Sequence, residues 1–130
     1  MTVTIAFEKP ADIMLQNDRP HWSRRARLTR IWRNATALHT HRTLGPGRMA
    51  RAQPPCYVRV TFPVQVNRRR DSDGPAPTVK ACIDGLVDAG CWIDDTTEWV
   101  ESLGSRFVKV DKGAPLIVTI ELIPMEAGAA

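Results

Sequence analysis

Asp71 and Asp73 stand two apart directly after Arg68, Arg69 and Arg70; Lys80 follows, and Asp94 and Asp95 close the segment. Residues two apart project to the same side of an extended chain, which would bring the Asp71 and Asp73 carboxylates within several ångströms of each other. Without a counter-ion such neighbours raise one another's pKa and destabilise the fold. An oxygen-rich site of this kind suits Mg²⁺, with Mn²⁺ as a second option, because these cations take one or two carboxylates and complete their shell with water and substrate phosphate. The arginine triplet complements a polyanion. Carboxylates that hold a cation, a cation that activates water and a lysine that balances charge at the scissile phosphate together fit phosphodiester hydrolysis. Each part also has a plainer reading. Asp94 and Asp95 can be turn residues or a cap for the next segment. Lys80 can pair with Asp84 one turn on, which is worth about 0.2–0.5 kcal/mol. The triplet can be a solvated strand end.

These residues must be positioned by the elements around them. Val3, Ile5 and Phe7 alternate with Thr2, Thr4 and Ala6, the period of a half-buried strand that Pro10 ends. A helix is expected from His21 or Trp22 to about Thr43, with Leu28, Ile31, Trp32, Ala35 and Leu38 as its apolar stripe and Arg27, Arg30 and Arg33 on the other side. Cys56 to Val66 reads as a strand, in which Pro63 implies an edge position or a bulge. Thr78 is the expected cap of a second helix with the stripe Val79, Cys82, Ile83, Leu86 and Val87, stopped by Gly90. Lys80, Asp84 and Asp88 share its polar side. Strands follow over about 98–110 and 116–123, joined by a hairpin turn at Asp111–Ala114, and residues 124–130 read as a frayed tail. The expectation is an α/β (α+β) fold with the order β-α-β-α-β-β: one mixed sheet of about four strands covered by two helices.

At 130 residues the chain is long enough for one compact domain, taken as residues 1–130, and its 43% apolar content supports a buried core. The net charge of +4 is unevenly spread. From Arg19 to Arg70 there are thirteen arginines and no Asp, Glu or Lys, whereas from Asp71 to Glu101 there are eight acids and one base. A basic half leading into an acidic cluster points to a polyanionic partner beside a cation site. Guanidinium groups bind phosphate through paired hydrogen bonds. Arg24, Arg25, Arg27 and Arg30 on the first helix and Arg68, Arg69 and Arg70 are therefore the candidate phosphate contacts to a nucleic acid. Three cysteines in no metal spacing fit buried thiols in a reducing compartment. The amino-terminal residues lack a signal peptide's basic start and apolar core, and no apolar run is long enough to span a membrane. A cytoplasmic protein without a small-molecule cofactor is expected. His39 and His41, two apart on a helix, make a poor metal pair. Trp22, Trp32, Trp92 and Trp99 could stack on unpaired bases; Trp32 lies in the apolar stripe, and the roles of Trp92 and Trp99 stay open.

The runs Arg68–Asp73, Lys80–Gly90 and Trp92–Asp95 resemble the RusA family of Holliday-junction resolvases, which are mostly encoded by phages and prophages. The resemblance continues through Val108–Gly113 into the last strand and covers the carboxy-terminal half closely; Asn17–Arg33 is similar more loosely. It implies a homodimeric, Mg²⁺-dependent endodeoxyribonuclease acting in DNA recombination and repair, which cuts four-way junctions at symmetric positions. Asp71, Asp73 and Asp95 would be the essential, metal-holding acids, and Lys80 the active-site lysine. Two equivalent sites related by a two-fold axis suit two equivalent strands. The chain departs from the family pattern at Gly74, where an Asn is common, and in the longer stretch to Lys80. Two other readings remain: a non-catalytic basic module that binds nucleic acid, and the same nuclease acting on forks, flaps or packaging intermediates.

Overall fold

A computed structural model describes residues 1–17, 21–45, 47, 51–66 and 74–125. The elements are β1 (Val3–Glu8), α1 (Trp22–Leu44), β2 (Cys56–Val64), α2 (Ala76–Asp88), β3 (Val100–Lys109) and β4 (Ile117–Pro124). The four strands form one mixed sheet in the order β1-β4-β2-β3, so the expected α+β architecture and element order are found. β4 runs antiparallel to both β1 and β2, and β2 is parallel to β3. The parallel pair needs a crossover, and α2 supplies it.

Alternation decides which face is covered. Ile5, Phe7, Cys56, Val58, Val60, Phe62, Val118, Ile120 and Leu122 point to one side and are buried beneath the helices. The opposite side carries Thr4, Arg59, Thr61, Thr119 and Glu121, which stay partly or fully exposed. Both helices therefore lie on one face. Trp32 joins the layers: its ring meets Phe7 and Phe62 edge-on at 6.5 and 5.8 Å, and its indole N–H donates to the Asp12 carbonyl at 2.9 Å.

Several expectations are corrected. The turn at Asp111–Ala114 forms, with the Ala114 N–H donating to the Asp111 carbonyl at 3.0 Å, but it does not close a hairpin. β4 crosses the end of β2 and inserts between β1 and β2, because the strongly apolar β2 needs a neighbour on each edge. Pro63 is in the central strand. β4 pairs with β2 only as far as Thr61↔Thr119, so the missing proline N–H falls where β2 keeps a single neighbour. The bulge lies on β3, where Leu103 and Gly104 oppose the lone Arg59 and Gly104 takes φ +82°. Leu38 is 49% exposed. The buried ridge of α1 runs Leu28, Trp32, Thr36, Thr40, a strict four-residue step that leaves Leu38 outside. α2 begins before Thr78, with Pro77 in its first turn, where the absent N–H costs nothing. The Thr78 hydroxyl instead donates to the Met14 carbonyl and accepts from the Met14 N–H, at 2.9 and 2.7 Å. At the carboxy end, Pro124 closes β4 and the Met125 N–H donates to the Pro55 carbonyl at 2.8 Å, so these two residues are not a frayed tail. Residues 126–130 lie outside the described set.

Arg51 is buried and donates through Nε to the Ala89 carbonyl, and through Nη1 to the Gly45 carbonyl at 3.3 Å. It thus ties together the carboxy ends of both helices, where a cation also complements the dipoles. Replacing it with Met leaves two carbonyls short of a donor, and the expected loss is about 1–3 kcal/mol, read as a lower urea midpoint at unchanged slope.

Candidate active site

Lys80 stands on the first turns of α2, and its ammonium lies 2.7 Å from Asp84 Oδ1 and 2.7 Å from Asp95 Oδ2. The plain one-turn pair and the longer-range contact are thus both made. Asp95 reaches Lys80 through a relayed set of turns. Gly90, at φ +98°, ends α2: its N–H donates to the Val87 carbonyl and the Cys91 N–H to the Leu86 carbonyl, which is a Schellman termination. Cys91 and Trp92 then plunge into the core, where the Trp92 indole N–H donates to the Pro54 carbonyl at 2.9 Å. Asp94 accepts from the Thr96 N–H and hydroxyl at 3.0 and 2.8 Å. Asp94 is therefore a turn residue, and its neighbour Asp95 is the one presented to Lys80.

The charges favour their ionised forms. Hydrogen bonds to Asp84 and then Asp95 raise the Lys80 pKa, so the group stays an ammonium throughout the neutral range. The hydrogen bond from Lys80 holds Asp95 below the ordinary carboxylate value. Two carboxylates around one ammonium leave the trio at a net charge of −1. Exposed oxygen donors with an excess negative charge fit a hard divalent cation, and Asp95 would be one of its ligands. Asp71 and Asp73, the other expected ligands, and Arg68, Arg69 and Arg70 lie outside the described residues. Among the described residues no three acidic, His or Cys groups gather as a metal cluster.

Beside Lys80 opens a cleft of about 470 Å³, lined by Ala76, Val79 and Ile83 of α2 and by Ser102, Leu103 and Gly104 of the β3 bulge. A glycine inside a strand pattern was the signal for that bulge. Asp84 was legible in the sequence only as a pairing partner of Lys80; its place in a three-charge cluster depends on where Asp95 falls.

The helix arginines divide. Arg24 pairs with Asp12 at 2.7 Å, and Arg25 donates to the Leu15 carbonyl at 3.4 Å. Arg27 and Arg30 are exposed. Arg33 makes a two-point contact with Asp88, at 2.5 and 2.8 Å, and is committed to holding α1 against α2. That contact keeps the Asp88 pKa below its ordinary 3.8. The contribution is complete above about pH 4 and is lost as pH falls through the lowered Asp88 value. After allowance for solvent screening it is worth about 0.5–1 kcal/mol. Asp88→Asn is expected to cost that much at pH 6 and less at pH 2.5, measured by urea unfolding at both pH values.

Trp92 is core, and Trp99 packs against the core from a half-buried position. His39 stacks on Phe7 at 4.9 Å; burial and then Arg42 lower its pKa, so it serves packing. Cys56, Cys82 and Cys91 are free and buried, and burial pushes their thiols up to about 11, 12 and 12. Thiols so poorly ionised are inert. Among the described residues no helix is long and apolar enough to cross a membrane. No protein-family model and no curated protein sequence matches the chain.

Proposed function

We propose that the chain is a Mg²⁺-dependent endodeoxyribonuclease of the RusA type, which acts as a homodimer and resolves four-way DNA junctions by paired symmetric nicks. The observation that carries this reading is the 2.7 Å contact between Lys80 and Asp95, fifteen residues apart and delivered by separate elements. The sequence pattern singled out that pair, and the fold presents it at a solvent-facing position. A bound Mg²⁺, or Mn²⁺ in its place, supplies a Lewis acid for the phosphoryl oxygen and lowers the pKa of a coordinated water.

The chain's own residues do the rest. Asp95, with Asp71 and Asp73, would hold the cation. Lys80, fixed as an ammonium, neutralises charge on the scissile phosphate or protonates the leaving oxygen; it is not a base at neutral pH. Asp84, 2.7 Å from the ammonium, would hold Lys80 in place beside a bound cation. Arg27 and Arg30, with Arg24, Arg25 and Arg68–Arg70, hold the flanking phosphates.

A second reading has one observation in its favour: Lys80 and its two carboxylates satisfy one another, as they would in a non-catalytic basic module. The two readings separate when a labelled four-way junction, a fork and a linear duplex are incubated with the protein and Mg²⁺. Paired nicks in the junction support the resolvase. Cutting of the fork alone keeps the site and changes the substrate. Retarded DNA without cutting under Mg²⁺ or Mn²⁺ contradicts the nuclease.

A further inference from the structure

Trp22, the first residue of α1, is 76% exposed, whereas Trp32 and Trp92 are 0% and 2% exposed and Trp99 packs against the core. A large indole left in water is unusual for a surface position with no task. It does not sit on a loose loop tip. The His21 ring accepts from the Ser23 N–H at 3.2 Å, which fixes the start of the helix, and lies 5.5 Å from the indole at a tilt of 33°.

The segment leading to this helix is bonded to the candidate active site. The Gln16 N–H donates to the Gly74 carbonyl at 2.6 Å, just before α2. Thr78, two residues before Lys80, is bonded to both main-chain groups of Met14. Arg25 reaches back to the Leu15 carbonyl. The indole therefore stands at the same end of the molecule as Lys80. The helix that it opens is basic: α1 contains no acid over its whole length, and Arg27 and Arg30 are exposed on it. A flat apolar ring at the start of a helix that presents guanidinium groups complements a ligand that is polyanionic along its backbone and flat and apolar at its side groups. That is a nucleic-acid strand with an unstacked base.

We infer that Trp22, backed by His21, is a stacking platform for an unpaired base of the DNA strand bound at the Lys80 end. The inference rests on the nucleic-acid reading above. It adds a binding role and makes Trp22 a reader of branched against fully paired DNA.

The test uses the full chain, its intrinsic tryptophan fluorescence and acrylamide quenching. The probes are a forked DNA with unpaired arms, a duplex with a three-base bulge, and a fully paired duplex. Forked and bulged DNA are expected to quench the exposed emission and to shield it from acrylamide, and the paired duplex is not. Trp22→Ala is expected to lose that signal and to weaken fork binding by between about fivefold and 100-fold, with Trp22→Phe restoring part of the affinity. Fork binding with the indole still open to acrylamide, or unchanged affinity in Trp22→Ala, overturns the stacking role and leaves the nuclease reading intact. Shielding that grows with protein concentration without DNA assigns Trp22 to a contact between copies of the chain and also overturns it. Failure to bind any of the three DNAs sinks both readings together.

Discussion

Asp95→Asn is expected to abolish Mg²⁺-dependent cutting of a four-way junction while leaving junction binding intact or tighter. Asp95 is solvent-facing, held as a carboxylate by the Lys80 ammonium, and placed there by the Gly90 termination and the anchored Trp92. Asn keeps the shape but removes the charge that would hold a cation, and it also removes repulsion toward phosphate. Lys80→Ala is expected to lower single-turnover cutting by about 10²–10³, the usual effect of losing one fixed electrostatic partner of the transition state. Both variants should unfold at nearly the wild-type temperature, because the pair is at the surface. Asp94→Asn serves as the control with a much smaller effect, because Asp94 is spent on the Thr96 turn. Cutting at the wild-type rate by Asp95→Asn would remove that residue from the site.

A large effect on stability is expected at Gly85. α1 and α2 touch so closely there that an added Cβ would lie 2.5 Å from the Arg33 carbonyl oxygen and 2.8 Å from the Thr36 Cβ. Neither neighbour is the free end of a flexible side chain, so the helices themselves must move apart. Ala is normally the better helix former by about 1 kcal/mol, and here that gain is outweighed. Overpacking of this kind costs about 1–3 kcal/mol. At roughly 4 °C per kcal/mol, Gly85→Ala should lower Tm by about 4–12 °C. Separation of the helices would also loosen the Arg33–Asp88 contact and tilt the face that carries Lys80. An unchanged or raised Tm in thermal unfolding would show that the contact yields without cost.

The local patterns of the sequence carried most of the fold. The period-two run at Val3–Phe7, the long helix after the His21 region and the one-sided stripe of the second helix all name their elements correctly, because each depends on neighbours in the chain. The misses come from tertiary context. The turn at Asp111–Ala114 has hairpin chemistry, but strand order is set by which strand needs two neighbours, and β2 does. Thr78 has the side chain of a cap, but its hydroxyl is taken by Met14, so the helix starts earlier. Leu38 fits a three-and-four stripe, but a close contact at Gly85 selects the four-step ridge through Thr36. At the candidate site, residue type and spacing marked Lys80 and the Asp94–Asp95 pair, and the family resemblance chose Asp95, which the fold brings to Lys80. Spacing alone could not separate Asp94 from Asp95, since one residue of rotation in a turn decides which faces the lysine.

The central claim is that Asp95 and the Asp71–Asp73 pair form a cation site beside Lys80. The most direct test is Mn²⁺ binding to the full chain, followed by electron paramagnetic resonance of the free ion, for wild type, Asp95→Asn and Asp73→Asn. Saturable binding in the wild type that is lost in either variant is the predicted result. Binding that is absent in the wild type, or that survives unchanged in Asp95→Asn, would contradict it.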